Sequence, residues 1–86
     1  MEKKIKLYGV ESCPNVKKAT EFLRTNKIKF EFVKLMISQP KVLEDLHARS
    51  GLEGDPQLCI TNEAGEESFI LGFNEQEYRK VLIDGN

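Results

Sequence analysis

The stretch Tyr8-Gly-Val-Glu-Ser-Cys13-Pro-Asn-Val16 decides how the rest of the chain is read. Upstream of it, Ile5 and Leu7 alternate with Lys4 and Lys6, a period of two that predicts a half-buried strand over residues 3–8. Downstream, Val16, Ala19, Phe22 and Leu23 fall at helical spacing, which predicts an amphipathic helix over 13–25. Gly9 lets the chain turn out of the strand, Ser12 is a competent N-cap, and Pro14 fits the first helical turn. Asn26 is the expected stop, because Asn tolerates the left-handed conformation that ends helices. A cysteine is thus delivered to the start of a helix, where unpaired backbone N–H groups stabilise a thiolate better than a thiol. Cys13 is the candidate nucleophile. The competing reading of a lone cysteine is a small core residue, and that reading is the one adopted for Cys59.

At 86 residues the chain is expected to be one domain, 1–86, with a single modest core. Its 13 basic and 14 acidic residues leave a net charge of −1, and no polybasic run exists. Nucleic acid and anionic membrane are therefore not expected partners. Met1 is followed by Glu2, Lys3 and Lys4, not by an apolar signal segment, and no apolar stretch approaches membrane-spanning length. Two cysteines far apart do not make a secreted disulfide framework, so a cytoplasmic home is expected. His47 has no Cys or His at ligand spacing; it reads as a surface residue, and no metal site is expected.

Further along, Ile28, Phe30 and Phe32 share one parity, with Val33 and Leu35 on the other, as in a strand covered on both faces. Both phenylalanines read as core. Ser38-Gln-Pro40 opens a second helix with Val42, Leu43 and Leu46 as its apolar face, and Gly51 is placed to end it. After the Leu52–Asp55 loop, Gln57–Thr61 forms a strand, Asn62–Gly65 a turn, and residues 66–71 the antiparallel return strand. Glu63, Glu66 and Glu67 read as a solvated hairpin face. Asn74 and Glu77 have capping spacing, opening a last helix with Tyr78, Val81 and Leu82 inward. The order is β-α-β-α-β-β-α. A right-handed crossover makes the first two strands parallel, and the compact α/β solution is a four-stranded mixed sheet carrying three helices.

At this point the chain resembles the glutaredoxins, small members of the thioredoxin fold. The resemblance rests on the Tyr8–Val16 segment, on Ser50-Gly51 followed by Asp55-Pro56-Gln57, and on Gly72-Phe73-Asn74-Glu75. These match the family's active-site turn, its Ser-Gly and Val-Pro-Gln, and its Gly-X-Asp-Asp turn. It implies that Pro56 is the family's cis-proline. It also implies a substrate groove around Cys13 built from Tyr8, Pro14, Asn15, Asp55, Pro56, Gly72, Phe73 and Asn74.

The departures refine this. Where dithiol glutaredoxins have Cys-Pro-Tyr-Cys, this chain has Cys13-Pro14-Asn15-Val16, which leaves monothiol chemistry only. The motif also differs from the Cys-Gly-Phe-Ser of iron–sulfur-carrying relatives. The family's lysine before the cysteine aligns with Val10, and the next residue is Glu11. A basic residue before the Val-Pro pair aligns with Glu53, the valine with Asp55, and the first Gly of the family's Gly-Gly turn with Leu71. Acids in these places are expected to repel the carboxylates of glutathione, and Asp55 to oppose ionisation of Cys13. The resemblance implies a monomeric oxidoreductase without a tightly bound cofactor, acting on protein–glutathione or similar mixed disulfides in cell redox homeostasis, with glutathione as co-substrate. The rival reading is a catalytically weak peptide- or protein-binding module that keeps the groove.

Overall fold

The computed structural model describes residues 3–36, 38–52 and 54–84. The alternating segment becomes β1 (Lys4–Gly9), and the first helical stripe becomes α1 (Pro14–Thr25). They are followed by β2 (Glu31–Lys34), α2 (Pro40–Ser50), β3 (Gln57–Thr61), β4 (Glu67–Leu71) and α3 (Glu75–Arg79), which runs on as a π-helical turn over Lys80–Asp84. The strands form one mixed sheet in the order β2-β1-β3-β4. β1 runs parallel to β2, with Leu7 opposite Phe32, and antiparallel to β3, with Leu7 opposite Leu58. β3 and β4 are the expected antiparallel hairpin, with Leu58 opposite Ile70. This is the α/β thioredoxin-like architecture implied by the resemblance.

Period-two alternation puts different residues on the two faces of the sheet. Leu7, Leu58, Ile60 and Ile70 meet Ala19, Phe22 and Leu23 of α1 and Tyr78 of α3 in the larger core. Tyr8, Leu35 and Cys59 meet Leu46 of α2 on the other side, with Val33, Val42 and Phe69 against them. The second strand is covered on both faces as its two parities required, since Phe30 and Phe32 pack on the first cluster and Val33 on the second.

Several local expectations change. Cys13, not Ser12, is the N-cap of α1, with extended backbone and no side-chain capping bond. Asn26 does end the helix, but its own φ is −91°, and the left-handed residue is Lys27 at φ 56°. The Lys27 N–H donates to Arg24 O at 3.0 Å and the Ile28 N–H to Leu23 O at 2.9 Å, the paired bonds of a Schellman ending. That ending occupies Lys27 and Ile28, so β2 starts only at Glu31. Leu43 is exposed; α2 buries Leu46 fully and Val42 in part, a narrower stripe than the sequence suggested. Gly51 ends α2 in the left-handed region, as expected. Glu63, Glu66 and Glu67 are exposed, as the sequence suggested, and Glu67 is in addition held by Arg49 Nη1 at 2.7 Å. His47 is only half-exposed, and its buried Nε2 has no hydrogen-bond partner among the described residues.

Gly9 closes β1 for a steric reason. A Cβ there would lie 2.5 Å from Val16 Cγ2, so β1 and the first turn of α1 approach each other only because position 9 lacks a side chain. The Leu35 N–H donates to Gly9 O at 2.9 Å, tying the end of β2 to the same corner.

Candidate active site

The β1–α1 loop is a tight turn. The Cys13 N–H donates to Val10 O at 3.0 Å, and the Cys13 carbonyl accepts from Val16 N–H at 3.0 Å and Lys17 N–H at 3.2 Å. Pro14 has no N–H to give and occupies the first helical position, where none is needed. Cys13 is a half-exposed free thiol, flanked by exposed Ser12, Pro14 and Asn15.

A second segment meets this loop. The Asp55–Pro56 peptide bond is cis, and Pro56 is fully buried. The Asp55 carboxylate reaches across the site, its Oδ2 accepting the Val10 N–H at 3.1 Å. The Pro56 carbonyl accepts the Gly72 N–H at 2.7 Å, and the Gly72 carbonyl accepts the Tyr78 hydroxyl at 3.0 Å. Cysteine loop, cis-proline and α3 turn are thereby joined in a chain of hydrogen bonds. Gln57, buried next to Pro56, donates from Nε2 to Leu52 O at 3.2 Å and Gly54 O at 3.1 Å, fixing the loop that carries Asp55. Burial pushes the Tyr78 phenol well above its ordinary range, so it stays a hydrogen-bond donor at neutral pH.

The structure brings Cys13, Pro14, Asn15, Asp55, Pro56, Gly72 and Asn74 to this end of the sheet, with two qualifications. Asn74 spends its side chain as the N-cap of α3, accepting from Glu77 N–H at 3.1 Å. Phe73 turns its ring into the core, 4.9 Å from Tyr78 and 5.9 Å from Phe22, so only its backbone remains for a ligand. Tyr8 is not part of the groove. It has the opposite parity to Leu7, so its ring lies under α2 and its hydroxyl accepts from Arg49 Nη2 at 2.7 Å. Glu53 lies outside the described residues.

Two features escaped the sequence. Lys34, at the end of β2, reaches Glu11 at 3.4 Å, and a groove of about 510 Å³ beside the cysteine loop is lined by both with Lys17, Val10 and Met36. Lys17 therefore stands beside the loop although Val10 replaces the expected lysine, and the strand pairing adds Lys34, whose charge is compensated by Glu11. The other thiol is remote in kind. Cys59 is buried beneath α2, donates to Glu67 at 3.7 Å, and has its pKa raised by burial first and Glu67 second. Such a thiol is a packing residue.

The family model described as glutaredoxin matches residues 5–64. The chain belongs to the glutaredoxin family. It is 31% identical over 78 residues to an uncharacterised glutaredoxin-like 8.6 kDa protein in a rubredoxin operon of Clostridium pasteurianum, an alignment covering 91% of this chain and 96% of that one. The glutaredoxin of Archaeoglobus fulgidus superposes with a TM-score of 0.73 at 25% identity, covering 93% of this chain and 86% of that one. The methanoredoxin of Methanosarcina acetivorans superposes at 0.75 with 23% identity, over 93% of this chain and 84% of that one, and shares the fold. Glutaredoxin family and fold together support a thiol–disulfide oxidoreductase-like role.

Proposed function

We propose that this glutaredoxin works as a monothiol enzyme, with Cys13 as its nucleophile. The Cys13 thiolate attacks the glutathione sulfur of a mixed disulfide; the substrate leaves as a thiolate, and Cys13 is left glutathionylated. A second glutathione thiolate attacks that bond, releasing oxidised glutathione and regenerating Cys13. The observation that carries this reading is the contrast between the two thiols. Cys13 is half-exposed at the start of α1, while Cys59 is 1% exposed in the cluster beneath α2. Val16, where a dithiol relative has its resolving cysteine, is buried against Gly9. Neither position offers an internal thiol to resolve the mixed disulfide.

The chain acts in this reading as a cytoplasmic monomer and one domain, with no tightly bound cofactor and with thiol or mixed-disulfide substrates that include proteins. Lys17 supplies positive charge that the aligned positions lack, beside the Lys34–Glu11 pair. The backbone of the Phe73-Asn74 turn, at the start of α3, stands where a carboxylate can be received. One observation favours the binding-module reading: Val10 and Leu71 are exposed, and Leu71 lies beside Gly54 in the cis-proline loop. An apolar rim of that kind suits an unfolded peptide. The deciding assay is glutathione-dependent reduction of a glutathionylated peptide by the native chain and by Cys13→Ser. Turnover above the uncatalysed rate that disappears in Cys13→Ser supports the enzyme; equal rates for both leave the binding module.

A further inference from the structure

We infer that Asp55 is a positioning residue, holding the Cys13 loop in its reactive geometry through the backbone of Val10; the inference rests on the thiol–disulfide reading and deepens it. Val10 uses both of its backbone groups in this arrangement. Its N–H donates to Asp55 Oδ2 at 3.1 Å, and its carbonyl accepts the Cys13 N–H at 3.0 Å. The carboxylate thus acts on the cysteine one residue removed, across a sequence separation of 45. The two ends of this tie differ in rigidity. On the cysteine side Val10, Glu11 and Ser12 are all exposed, and the additional restraint is the solvent-facing Glu11–Lys34 pair. On the other side, Asp55 is mounted between Gly54, whose carbonyl is held by buried Gln57, and Pro56, whose carbonyl is held by Gly72. The exposed loop is therefore moored to a fixed one. A valine at position 55 has no side-chain atom that could accept the Val10 N–H. An aspartate here changes more than charge: it substitutes a side-chain bond for the freedom of the loop.

Geometry and charge are separated by two neutral replacements. Asp55→Asn keeps an accepting oxygen, whereas Asp55→Val does not, and neither carries charge. Amide exchange followed by NMR in the full chain should show Val10 and Cys13 exchanging about fivefold or more faster in Asp55→Val, the worth of one lost hydrogen bond. Leu23 and Leu58 should be unmoved, and Asp55→Asn should restore slow exchange at Val10. Glutathione-dependent turnover should fall several-fold in the valine variant and recover in the asparagine variant. Unchanged Val10 exchange in Asp55→Val overturns the inference. So do equal rates of Cys13 alkylation by iodoacetamide in the two neutral variants, which would leave Asp55 acting through charge alone. Absence of Cys13-dependent turnover in the native chain sinks the enzymatic reading instead, and exchange and alkylation still decide the positioning claim.

Discussion

Replacing Gly9 by alanine tests the close approach that sets the cysteine loop. The added methyl would sit 2.5 Å from Val16 Cγ2 and 3.4 Å from Cγ1, so the two cannot coexist without movement. Val16 cannot step aside, because a β-branched side chain on a helix is held near one χ1 rotamer and this one is buried. Relief must come from displacing the first turn of α1, and overpacking of this kind costs about 1–3 kcal/mol. Alanine in a strand otherwise gains roughly 0.5–1 kcal/mol over glycine, so a net loss of stability reports the clash. Val16→Ala alone removes two buried methyls, about 1.6 kcal/mol by transfer plus a cavity contribution, or roughly 2 kcal/mol. In the double variant the new methyl occupies space vacated by the valine. The pair should then cost about 1–2 kcal/mol, short of the roughly 3 kcal/mol expected from adding the single effects. Urea unfolding followed by far-UV circular dichroism measures all three. Additivity within about 0.5 kcal/mol would refute the argument and leave Gly9 with no steric duty.

Tyr78→Phe should cost about 1–2 kcal/mol, since it removes the bond to Gly72 O and leaves that carbonyl without its partner. Burial raises the folded-state pKa of Tyr78 above its ordinary 10.0, so the unfolded chain loses this proton first. The Tyr78 contribution to stability should therefore be intact below pH 10 and be lost as pH rises beyond it, so that stability falls less steeply in Tyr78→Phe, as urea midpoints at pH 9 and 11 would show. Cys59, raised above 9.0, should add a loss of the same sign that begins nearer pH 9 and is absent in Cys59→Ala. Val16→Cys should let the introduced thiol close a disulfide with Cys13 under mild oxidation, detected by mass spectrometry, and turnover should then proceed with a dithiol reductant in place of glutathione. Arg49→Met should lower stability by only about 1 kcal/mol, because its contacts to Asp45, Glu67 and Tyr8 are partly hydrated; a thermal melt reads this as a shift of about 4–8 °C.

What was legible in the sequence was what local period dictates. Ile5 and Leu7 announced β1, and Val16, Ala19, Phe22 and Leu23 all became buried on α1, because every third or fourth residue of a helix shares a face. Pro14, Gly51 and Asn74 marked helix ends through backbone chemistry that needs no distant partner. The misses are contacts between segments far apart in the chain. Asp55 finding the Val10 N–H, Arg49 finding Tyr8 and Glu67, and Lys34 finding Glu11 all depend on which strands lie side by side. Tyr8 is a different kind of miss. Its parity opposite Leu7 already pointed it away from α1, but the resemblance drew it into the groove.

The strand order leaves β4 at a rim of the sheet, and a rim offers unpaired backbone groups to any extended chain that comes near. β4 carries Phe69 and Ile70 in its middle, a pairing surface that invites intermolecular addition. Glu67 stands exposed at the start of that strand, paired with Arg49 at 2.7 Å. An incoming strand would have to lie beside this charged pair. A charged side chain on an edge strand disfavours strand addition, so the value of this ion pair is to be sought in how concentrated the protein can become rather than in how hot.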